Sequence, residues 1–127
     1  MHRSLPRAVA AAGGIGIVGL GAWAMVSSNT FFEALAHFEP YNQHFLQDLG
    51  ALQIGLGAVL LLAVAMPHAD FLAGALLGTG LGAALHVVSH VIGIDLGGNP
   101  AIDIPAFGAL AVLLLIAGAV RWRSPTD

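Results

Sequence analysis

Apolar residues in this chain gather into four blocks, at about 8–26, 43–66, 71–94 and 104–121, with neither strict alternation nor regular polar partners inside them. Block length is therefore a stronger signal than periodicity. Each block is close to the ~20 residues that carry a helix across ~30 Å of hydrocarbon. Backbone groups left unpaired in lipid are too costly to tolerate, and nothing shows the two-residue alternation of a membrane barrel, so the blocks read as helices. Short links between them predict an all-α, up-down four-helix bundle in the lipid bilayer, one domain over 1–127. Within the first link, 31–38 predicts a short interfacial helix, capped by Ser28 or Asn29 and stopped by Pro40. Its phenylalanines and Leu35 are expected in the acyl boundary, with Glu33 and His37 toward water. Tyr41 belongs to an interfacial aromatic belt, Asn42 caps the second span, and Asp103 caps the fourth with Pro105 in its first turn.

Composition settles the solvent. Of 127 residues 57% are hydrophobic and 9% charged, with a mean hydropathy of +0.86. A soluble domain averages about 25% charged residues, and this chain has too few to solvate a globule. The basic residues are all arginine: Arg3 and Arg7 before the first span, Arg121 and Arg123 after the last. Both termini are expected on the cytoplasmic side of the cytoplasmic (inner) membrane, as an even number of spans requires. The links at 27–42 and 95–103 then face outward and 67–70 faces in. The basic start, the apolar run and Ala22-Trp23-Ala24 also compose a signal peptide, but the run continues past that site and reads as a retained span. The absence of cysteine excludes disulfides and thiolate ligands. A net charge of −3 with no basic stripe excludes nucleic acid as a partner. No hydrolase or nucleotide-binding signature is present.

The polar residues inside the spans carry the candidate chemistry. His44, Asp48, Ala51 and Gly55 fall within about 60° of arc on the second span when each residue advances ~100°, and Gln53 points the other way. On the third span Gly74, Gly78, Gly82, His86 and His90 follow one another at four-residue steps. Ladders of small residues let helices approach closely, so the second and third spans are expected to touch along these faces. Counting ~1.5 Å per residue puts His44 and His90 ~3–5 Å inside their helix ends and Asp48 and His86 ~9–10 Å inside. Three imidazoles and a carboxylate at matched depth are a chemically sound ligand set for one transition metal ion: zinc, iron, copper or manganese. Asp95 either orients His90 from behind or simply ends the third span, the turn role being the favoured one.

The same residues fit two other readings. One is hydrogen bonding between helices, worth ~0.6–2 kcal/mol per contact, in a non-catalytic subunit that docks through its glycine faces into a homo-oligomer or a larger membrane complex. The other is axial ligation of haem by His44 and His90 in an electron carrier, although a small-residue face serves a macrocycle or close packing and not both. No charged group in the inner halves of the spans continues a proton path. His2, His37 and His68 stand outside the cluster.

Tyr41-Asn42-Gln43-His44 followed by Asp48 and Gly50, then His86-Val87-Val88-Ser89-His90 and Asp95-Leu96-Gly97-Gly98, give the chain a resemblance. Over roughly 31–100 it resembles a family of small uncharacterised four-span membrane proteins common in actinobacteria. The resemblance implies the four-span architecture and implies no reaction.

Overall fold

Asparagines set two of the helix starts. The Asn42 side chain accepts the Phe45 N–H at 3.0 Å, satisfying a donor that the first turn of a helix leaves unpaired. Asn99 precedes Pro100, whose fixed φ and missing N–H suit a first helical position, and the Asn99 carbonyl accepts the N–H groups of Ile102 and Asp103. In the computed structural model, which describes residues 4–66 and 69–123, the resulting elements are α1 (Ser4–Val26), α2 (Ser28–Phe31), α3 (Gln43–Ala65), α4 (Ala69–Ile92) and α5 (Pro100–Arg123). A π-helical turn, Phe32–Ala36, extends α2. No strand occurs among the described residues. His2, Arg3 and the Pro67-His68 part of the inner link lie outside them.

The long helices are each apolar enough to cross a membrane over Ser4–Val26, Gln43–Ala65, Phe71–Ile92 and Pro100–Arg123. The chain is thus an all-α, multi-pass membrane protein with a short helix in its first link. The fourth span starts at Pro100 and not near residue 104, so Asp103 stands inside its first turn and Pro105 falls one turn later. Asp103 still serves the helix start, because its carboxylate accepts the Asn99 N–H at 2.7 Å.

The pairing of helices differs from the sequence expectation. α1 packs chiefly on α3 and α4 chiefly on α5, while α3 and α4 share only a small seam. The glycines that permit close approach are Gly14 and Gly21 on α1 against Gly57 and Gly50 on α3, at seven-residue steps. A Cβ on Gly21 would lie 2.6 Å from the Gly50 carbonyl oxygen. On the other pair, Gly80 of α4 faces Leu115, and Gly118 of α5 faces Leu77. Gly55, Gly74, Gly78 and Gly82 face open space instead of each other.

At the arginine-bearing end Ala10, Leu60, Ala63, Leu72, Leu76 and Leu114 form a core shared by the four long helices. The opposite end is closed by aromatic residues. Phe31 is buried with Ala24 and Leu46, and Phe32 and Phe38 pack against them. Trp23 meets Phe31 edge-to-face, and Phe32 meets Phe38 and Tyr41 in the same way. Phe31 turns into the protein and not into the acyl boundary, a correction to the interfacial reading, with Phe32 and Phe38 half-buried beside it, while Trp23, Leu35 and Tyr41 stay exposed. The Tyr41 hydroxyl is also bound, 2.9 Å from the Ser28 hydroxyl.

Candidate functional site

The last two turns of α4 and the first two of α5 run side by side in opposite directions, so residues one turn apart on each helix form matching rungs. His90 lies beside Asp103, with Nδ1 3.9 Å from Oδ2. One rung further in, His86 lies against Phe107 at 4.3 Å between ring centroids. Phe107 also stacks on His90, at 5.5 Å and an interplanar angle of 19°. The two imidazoles meet through their outer nitrogens, Nε2 to Nε2, at 3.0 Å. Ser89 donates to the His86 carbonyl at 2.7 Å, which spends its hydroxyl proton on the helix backbone.

The turn between α4 and α5 closes over this site. Gly97 and Gly98 have φ of +116° and +81°, a region that glycine enters without strain. The Gly98 N–H donates to the His37 carbonyl at 3.3 Å, joining the first and third links. A Cβ on Gly98 would meet Asp103 Oδ2 at 3.1 Å, so the backbone passes close to the carboxylate.

Of the residues singled out from the sequence, His86 and His90 are brought together and His44 and Asp48 form a separate pair. His44 Nε2 is 3.4 Å from Asp48 Oδ2, with side chains 86% and 65% exposed. Among the described residues no three of histidine, aspartate or glutamate gather into one metal-holding group. Asp95 is exposed in the link, and the carboxylate beside His90 is that of Asp103. Asp103 and Phe107 were missed as site residues although the signal was present: antiparallel counting across the α4–α5 link matches their depths to His90 and His86.

The spacing of the two imidazoles decides what they can do. Metal–nitrogen bonds of ~2.0–2.1 Å spanning 3.0 Å subtend about 95°, near the ~90° between neighbouring positions of octahedral or tetragonal ions. Without a metal, the same separation is a hydrogen bond from one ring N–H to the other ring's lone pair. Both rings belong to one helix with their Nε2 atoms facing, so this pair does not hold a haem iron from opposite sides.

A cleft of about 550 Å³ opens beside His90, between the α2–α3 link and the end of α4. Among the described residues, this end of the bundle carries Glu33, Glu39, Asp48, Asp95 and Asp103 and no arginine or lysine, whereas Arg7, Arg121 and Arg123 are at the other end. No family model, curated protein or solved structure matches the chain.

Proposed function

We propose that this protein lies in the cytoplasmic membrane with its arginine-bearing ends in the cytoplasm, and that it binds one transition metal ion near the opposite face through His86 and His90. The observation that carries the reading is the 3.0 Å approach of the two Nε2 atoms. Asp103, on the Nδ1 side of His90 at 3.9 Å, acts from behind the ligand through its charge, raising the imidazole's basicity. The excess of carboxylates at this end concentrates cations there. Two protein ligands leave the ion positions for water or a small ligand. Copper, iron and manganese suit a bite near ~90° better than zinc, which prefers a tetrahedral arrangement.

The test is metal content. Protein purified without a polyhistidine tag and incubated with metal is expected to hold about one equivalent, in keeping with a mononuclear site, and His86→Ala is expected to hold none. Metal-free wild type after reconstitution, or a folded His86→Ala variant that keeps its metal, overturns the reading. The unfilled glycine face of α4 favours a second reading, a structural subunit or homo-oligomer docked through Gly74, Gly78 and Gly82. In that case the histidine pair is a hydrogen bond only, and His86→Ala changes stability without changing metal content.

A further inference from the structure

We infer that the cleft beside His90 is a binding site for an organic ammonium ion with an apolar tail, adjoining the metal site proposed above and sharing His90 as part of its wall. Its polar side chains are already committed, except one. His90 faces His86 and Asp103 through its two nitrogens, and Ser89 donates to backbone. Glu39, at the cleft mouth, accepts the Tyr41 N–H through Oε2 at 3.3 Å, and no described residue donates to its other oxygen. The uncommitted side-chain group in the cleft is therefore a carboxylate oxygen.

The walls suit the rest of such a molecule. Phe38 and Phe45 line the cleft with their rings edge-to-face at 5.8 Å and 84°, and aromatic faces attract ammonium groups by up to ~2 kcal/mol when water is excluded. Phe38 is held by Phe32 at 5.9 Å, so this wall exists before the ligand arrives. Leu96 and Gly93 extend the apolar lining. The volume, about 550 Å³, is within the ~300–1,000 Å³ of small-molecule sites. The cleft is at the level where α4 ends and α3 begins, the depth of lipid headgroups, so an amphiphile enters with its tail in the bilayer. The surrounding carboxylates, with no arginine or lysine at this end among the described residues, attract cations and repel anions.

The experiment uses the whole chain in neutral maltoside micelles, titrated calorimetrically with hexylamine, hexyltrimethylammonium and uncharged hexanol, with empty micelles subtracted. Both ammonium probes are expected to bind the wild type, and hexanol is not. Glu39→Gln should weaken hexylamine binding by about tenfold or more, as loss of a charged hydrogen-bond partner does, and hexyltrimethylammonium, which has no N–H to donate, by less. Phe45→Leu, at an exposed wall position, should weaken it too. Hexanol binding equal to hexylamine, or full ammonium affinity in folded Glu39→Gln, overturns the inference. Displacement of hexylamine by added phosphatidylethanolamine identifies the natural occupant as a lipid headgroup. Retention of hexylamine against that lipid identifies a free amine, and either result supports the site. His86→Ala should lose metal and keep hexylamine binding, while Glu39→Gln should do the reverse, so failure of one site is distinguishable from failure of the other.

Discussion

Replacing Gly50 with alanine is expected to destabilise the bundle severely, and Gly50→Leu to prevent its assembly. A Cβ at Gly50 would sit 2.5 Å from the Gly21 carbonyl oxygen and 2.8 Å from Met25 Cγ. The first of these is backbone, which no rotamer change relieves. The contact is reciprocal, since Gly21 meets the Gly50 carbonyl in the same way. Relief therefore requires α1 and α3 to separate along the seam that also buries Ala24 and Leu46. Forced methylenes in a packed core cost ~1–3 kcal/mol, and a clash with backbone that no rotamer relieves is at the upper end of that range. Reversible unfolding in mixed detergent micelles measures the loss. Gly78 supplies the contrast, because nothing lies within 4 Å of its Cβ position and alanine is a better helix former by ~1 kcal/mol. Gly78→Ala should be neutral or stabilising. The opposite ranking, with Gly78→Ala damaging and Gly50→Ala tolerated, would place the close seam between α3 and α4.

Asp103→Ala is expected to lower metal affinity by ~10–100-fold, the usual effect of removing a carboxylate that supports a ligating histidine. It also removes the acceptor of the Asn99 N–H, so a loss of ~1 kcal/mol at the start of α5 accompanies it. Asp103→Asn separates the two effects. Its amide oxygen still accepts the Asn99 N–H, while the negative charge beside His90 is gone. Stability near wild type with weakened metal binding is the expected result, read by competition with a chromophoric chelator. Undiminished metal binding in Asp103→Asn would remove Asp103 from the site.

How much of this was legible in the residues follows from the physics of the solvent. The four spans, the Asn42 cap and the facing of His86 and His90 come from length, local chemistry and helical pitch, which act within one segment. Partner choice acts between segments. Lipid tails are as apolar as leucine, so a small-residue face left against lipid incurs no hydrophobic penalty, and the ladder of Gly74, Gly78 and Gly82 looks as good a seam as Gly50 and Gly57. Spacing shows which faces are small and not which of them meet. Phe31 of the first link was misplaced for the same reason, because an apolar ring is equally satisfied by lipid or by the Ala24–Leu46 cluster. Asp103 was read as a cap, and that role is close to the one it fills at Asn99. Its second contact, with His90, emerges only when α4 and α5 are laid side by side.

The most direct measurement is pulsed electron paramagnetic resonance of the protein loaded with one equivalent of Cu²⁺, an ion whose tetragonal geometry suits the ~90° bite. The spectrum should report the remote nitrogens of two imidazoles, stay unchanged in His44→Ala, and be lost in His86→Ala and His90→Ala, which no longer hold the ion at this site. A spectrum without imidazole coupling, or one that the His86 and His90 substitutions leave unaltered, would contradict the site.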